Sequence, residues 1–144
     1  MSLATMAVQE LEDRMPKVLD ARTHGMIDYA HAAFFLGMAW FCRNSNRRAA
    51  LAALITGSFV LVESMLTDYP LGVKKVIPFA THGRMDAGFA AASLMMPKMF
   101  GFENTAASKI FHGNGYVEGT VVGMTDWDSE RAREEEGFEL PKAS

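Results

Sequence analysis

Two histidine–aspartate pairs are the residues best suited to chemistry. His24 and Asp28 stand four apart, and His82 and Asp86 repeat that spacing. On a helix, a four-residue spacing puts both side chains on one face. Glu63 and Glu118 add two carboxyls within apolar stretches, and His31 and His112 are further imidazoles. Three kinds of chemistry fit. The pairs can be hydrogen-bonded braces, since buried polar groups need partners. His24 and His82 can ligate a cofactor, either as axial ligands of a haem or, with carboxylates, around a transition metal. The carboxyls and imidazoles can also line a proton or small-solute path.

The spacing is not the Glu-x-x-His pattern of di-iron bundles, so a dedicated metal centre is not expected. The single cysteine, Cys42, excludes an intramolecular disulfide and a cysteine-cluster site. No phosphate loop, dinucleotide fingerprint, nucleophile elbow or zinc-protease motif is present. A formal charge of −3 argues against a nucleic-acid partner. The carried reading is structural. His24, Asp28, His82, Asp86, Glu63 and Glu118 form polar linkages in a non-catalytic protein, with His24 and His82 as cofactor ligands in the alternative.

Four helical segments must position these residues, at roughly 24–42, 49–66, 82–96 and 106–125. Asp68-Tyr69-Pro70-Leu71-Gly72 breaks the chain after the second, and Pro97 closes the third. Residues 1–22 form a polar N-terminal segment, in which 3–15 has the spacing of a short amphipathic helix. No secretory signal is expected there, because Glu10, Glu12 and Asp13 occupy the place of an apolar core. Residues 126–144 form a charged tail. Between them, 23–125 reads as a single domain. Residues 32–42 and 49–62 offer water no polar face, so the solvent around them is expected to be lipid. Small residues recur at every fourth position, as in Ala49-Ala53-Gly57, Gly83-Ala87-Ala91 and Gly115-Gly119-Gly123. Such ridges let helices approach closely in membranes. The last is the expected contact face toward a second copy or a larger membrane complex.

A shift of 58 residues superposes 23–69 on 81–127. Thr23-His24-Gly25 meets Thr81-His82-Gly83, Asp28 meets Asp86, Gly57 meets Gly115, Thr67-Asp68 meets Thr125-Asp126, and Tyr69 meets Trp127. The unit is a helical hairpin used twice, a parallel repeat. The expected fold is all-α, a four-helix transmembrane bundle.

On these residues the chain resembles the Ser-Pro-Trp (SPW) repeat family of small bacterial membrane proteins. The likeness spans 23–125. It is carried by His24-Gly25-Met26-Ile27-Asp28-Tyr29, by Leu66-Thr67-Asp68-Tyr69-Pro70-Leu71-Gly72-Val73, by Val76-Ile77-Pro78 and by Phe100-Gly101-Phe102. The eponymous tripeptide is eroded to Met38-Ala39-Trp40 and Met96-Pro97-Lys98. The resemblance implies four spans in the inner membrane and no particular activity. Trp40, Tyr69 and Trp127 fall where interfacial belts are expected.

Basic residues concentrate on the side of the termini and of the 67–81 linker, which puts both termini in the cytoplasm. In a Cys42→Ala background, a cysteine at position 46 should be labelled from outside and one at 140 protected. The reverse pattern would invert the topology.

Overall fold

The computed structural model describes residue 10 and residues 13–129. The N-terminal helix expected at 3–15 lies almost wholly outside the described residues, although Glu10, Asp13 and Arg14 are helical. Most of the charged tail also lies outside them.

Four helices carry the fold: α1 (Ala21–Cys42), α2 (Arg47–Leu66), α3 (Phe79–Phe100) and α4 (Ala106–Met124). Two two-residue strands, β1 (Thr67–Asp68) and β2 (Ile77–Pro78), lie between α2 and α3. Side-chain caps start the first two helices. The Asp20 carboxylate accepts from the Thr23 N–H at 2.7 Å, and the Asn46 side chain accepts from the Ala49 N–H at 3.0 Å. Helix α3 does not stop before Pro97 but runs one turn further. It ends where Gly101 turns left-handed (φ 71°) and its N–H reaches the Lys98 and Pro97 carbonyls. Pro97 cannot donate to the carbonyl four residues back, at Ser93, yet the helix continues past it, and glycine supplies the left-handed stop.

Positions 58 residues apart make like contacts. Gly57 lies against Leu36 and the Ala32 carbonyl; an added Cβ there would come within 2.8 Å of the Leu36 side chain. At the equivalent place Gly115 lies against Leu94 and the Ala90 carbonyl, with 2.6 Å to Leu94. Each hairpin is thus closed by a glycine on its own partner helix. The halves also close on each other. Thr67 pairs in parallel with Ile77, and Leu19 bridges Thr125 in the same sense. The chain just before α1 therefore holds the end of α4, as the chain before α3 holds the end of α2.

The glycines of α4 do not form one ridge toward one partner. Gly115 faces α3, Gly123 faces Met15, and Gly119 has open space where a Cβ would stand. A four-residue step overshoots a 3.6-residue turn, so the row drifts around the helix. Ala87 and Ala91 are likewise exposed rather than packed.

The distribution of side-chain size is inverted in α2. Its inner face is Ala49, Ala52, Ala53, Thr56, Gly57 and Val60, all buried. Its outer face is Leu51, Leu54, Ile55, Phe59, Val62 and Met65, from 37% to 54% exposed. Among the described residues, α2 is the one helix long and apolar enough to cross a membrane.

Gly115→Leu should cost about 1–3 kcal/mol, because the hairpin must open to admit the side chain. Gly119→Ala should be neutral, or stabilise by up to about 1 kcal/mol through helix propensity. Thermal unfolding reads both. Equal effects would mean that the two glycines share an environment.

Candidate functional site

The paired motifs meet at one end of the bundle. His24 and Asp28 lie in the first turns of α1, and His82 and Asp86 in those of α3. All four are at least 94% buried. The two imidazole Nε2 atoms face each other at 3.2 Å. His24 Nε2 lies 3.1 Å from Asp86 Oδ2 and 3.4 Å from Asp28 Oδ1. His82 Nε2 lies 3.0 Å from Asp86 Oδ2 and 3.3 Å from Asp28 Oδ2. One donor atom from each residue falls within 4.8 Å of all the others.

The outward nitrogen of each ring is held by the opposite repeat. His82 Nδ1 lies 2.7 Å from Thr67 Oγ1, and His24 Nδ1 lies 2.9 Å from Thr125 Oγ1. Each threonine hydroxyl donates its own proton to the carbonyl four residues back, Glu63 at 2.8 Å and Val121 at 2.6 Å. A hydroxyl has one proton, so toward histidine each oxygen can only accept. Nδ1 therefore carries a proton in both rings. In a neutral ring the lone pair is then on Nε2, aimed at the centre of the cluster. Two Nε2 atoms and two carboxylates converge on one point, where each Nε2 can donate to an aspartate when protonated or offer a lone pair when not, and no lysine or arginine among the described residues pairs with either aspartate.

Aromatic rings cap this end. Tyr69, Phe79 and Trp127 pack around the imidazoles, with Trp127 4.8 Å and Phe79 5.6 Å from His24 by ring centroids. The glycine of each Thr-His-Gly motif makes room for the equivalent ring. A Cβ on Gly25 would lie 2.7 Å from Tyr69, and one on Gly83 2.7 Å from Trp127. Tyr69 and Trp127 are thus site walls rather than members of an interfacial belt, Tyr69 being wholly buried. Trp40 does stand exposed, under the Arg43 guanidinium. The Tyr69 hydroxyl donates to Asp28 Oδ2 at 3.3 Å. Burial pushes that phenol well above its ordinary pKa, so it stays a neutral donor.

The two glutamates are buried but are not part of the four-residue cluster. Glu63 Oε1 is 3.8 Å from His82 Nδ1, and neither of its carboxyl oxygens has a hydrogen-bond partner. Glu118 accepts from the Asn114 amide at 3.1 Å. His31 borders a cavity between α1 and α4, whereas His112 is exposed.

Sequence reasoning named the four clustered side chains but gave Thr67, Thr125, Tyr69 and Phe79 no role at the site. The signal for three of them was present, because Thr67, Thr125 and Tyr69 belong to the duplicated Thr-Asp-aromatic motif. Nothing in sequence marked Phe79, whose repeat equivalent is Ala21.

No family model, no curated protein and no solved structure matches the chain.

Thr67→Val and Thr125→Val should each leave a buried imidazole N–H unpaired and cost about 1–3 kcal/mol. The corresponding serine variants should stay close to the parent in denaturant or thermal unfolding. If the valine variants also match the parent, the rings are not held through Nδ1.

Proposed function

We propose that this protein is a four-helix membrane protein that binds a divalent first-row transition metal through His24, His82, Asp28 and Asp86. The observation that carries the reading is the convergence of both Nε2 atoms on two buried carboxylates, with each Nδ1 turned away to a threonine hydroxyl. Four ligands around a zinc-like ion at bond lengths of about 2.0–2.1 Å stand about 3.3–3.4 Å apart when tetrahedral. His24 Nε2, His82 Nε2 and Asp86 Oδ2 stand 3.0–3.2 Å from one another, and Asp28 meets the imidazoles through different oxygens, Oδ1 at 3.4 Å from His24 and Oδ2 at 3.3 Å from His82. A divalent cation would also neutralise two carboxylates that have no lysine or arginine partner. The threonines would act as outer partners that fix each ligand's tautomer and orientation.

Haem fits this site poorly. Rings whose Nε2 atoms are 3.2 Å apart leave no slot for a porphyrin between them. The four spans are supported by the small inner and large apolar outer face of α2, and by exposed Phe34, Trp40, Phe41, Met95 and Tyr116 on the other helices. The resemblance to the SPW repeat family supports the same placement. An accessory, purely structural role is the competing reading, in which the four polar residues only brace the bundle.

Protein purified in detergent and equilibrated with Zn2+ should retain the ion after desalting. His24→Ala and His82→Ala should release it. Saturating Zn2+ at about one hundred times Kd should stabilise the parent by about 2.7 kcal/mol and leave both variants unmoved. A metal-free parent in which Asp28→Ala and Asp86→Ala still destabilise would favour the bracing role instead.

A further inference from the structure

The end of the bundle opposite the His–Asp centre carries a different feature. A groove of about 410 Å³ runs between the end of α1 and the start of α2. Its floor is Ala39 and Ala50, both buried, and its walls are Trp40, Leu51 and Leu54, from 49% to 69% exposed. Alanine on both helices lets the backbones approach and leaves a trough between the larger side chains. Arg43 and Arg47 flank the trough where the two helices join. From Arg47 to Leu54 it descends two turns of α2, about 10 Å at roughly 1.5 Å per residue.

Neither arginine is paired with a carboxylate among the described residues, where the lysine and arginine ion pairs are Arg14–Glu10 and Lys75–Asp68. The Arg43 guanidinium lies 3.6 Å from the centre of the Trp40 ring and donates one N–H to the Trp40 carbonyl. That contact holds the guanidinium at the edge of the groove and leaves most of its donors for another acceptor. Arg48, next in the chain, donates to the Gly101 carbonyl at 3.0 Å and is not part of the groove. The feature belongs to one hairpin alone. The positions 58 residues on from Arg43, Arg47, Leu51 and Leu54 are Gly101, Thr105, Lys109 and His112. The second hairpin thus has neither the arginine pair nor the apolar walls.

Two cations above an apolar trough complement an anionic phospholipid. Guanidinium takes phosphate through parallel N–H bonds, an indole sits well at headgroup depth, and the alanine floor gives an acyl chain room between the helices. A zwitterionic head would bring its own ammonium group against two arginines that lack a carboxylate. We propose that this groove holds one anionic phospholipid, with its phosphate on Arg43 and Arg47 and an acyl chain along Ala39, Ala50 and Leu54. The proposal rests on the membrane placement argued above and is independent of the metal site.

The full-length protein, reconstituted in vesicles of equal parts phosphatidylglycerol and phosphatidylcholine and extracted in mild detergent, tests this by native mass spectrometry of the lipid it retains. One phosphatidylglycerol per chain is expected, in excess over phosphatidylcholine by about tenfold or more. Arg43→Gln and Arg47→Gln should each reduce that excess about fivefold. Lys98→Gln and Lys109→Gln remove charge at the same end but outside the groove, and should leave it unchanged. An equal loss in the lysine variants would mean diffuse attraction and overturn the site. Displacement of the lipid by excess inorganic phosphate would show an anion site without an acyl chain, and would overturn the lipid. A protein that inserts into the vesicles but retains both lipids alike would overturn the site and leave the membrane placement intact. A protein that stays in the aqueous phase would overturn both.

Discussion

The hydrogen bond from each histidine Nδ1 to a threonine of the opposite repeat is the interaction on which the rest depends. It ties the start of α1 to the end of α4 and the start of α3 to the end of α2. It also settles which nitrogen carries the proton, because the threonine proton is already committed to a backbone carbonyl. The same contact therefore closes the two hairpins into one body and turns both Nε2 atoms toward the buried centre. A histidine free to turn over would serve neither purpose.

Around that centre the two repeats have kept what geometry needs and changed what surrounds it. Gly25 with Tyr69 and Gly83 with Trp127 preserve a ring-on-backbone fit, because any Cβ would collide with the ring. The rings themselves differ in consequence. Tyr69 offers a hydroxyl to Asp28, whereas the Trp127 N–H is spent on the Val122 carbonyl. Phe79 fills space above both imidazoles that its equivalent, Ala21, cannot. Glu63 and Glu118 sit at non-equivalent positions, so the symmetric quartet has an asymmetric setting: a cavity on the Glu118 side and closely packed carboxyl oxygens at Glu63.

The packing of α2 connects this site to its surroundings. Alanine, glycine and threonine let α1 and α2 approach closely, while leucine, isoleucine and phenylalanine point outward. Water gives no reward for that arrangement. In a bilayer, where burying apolar surface between helices brings no hydrophobic gain, close contact of small residues becomes the main source of association.

The sequence by itself determined the four helices to within a few residues, the 58-residue spacing of the Thr-His-Gly and Thr-Asp motifs, and the identity of the His–Asp pairs. These follow from local rules: apolar period, breakers, and the improbability of two long motifs in one register. Sequence also placed the glycines 115, 119 and 123 in one row, but only the packed helices showed that each meets a different environment. Tertiary structure alone decided that the pairs converge on a single point, that the threonines orient the rings, and that Glu118 and His31 share a cavity with Asp28 and Asp86. Spacing along one helix fixes which side chains share a face. It says nothing of what another helix brings opposite, because that depends on crossing geometry and on the sizes of the residues between.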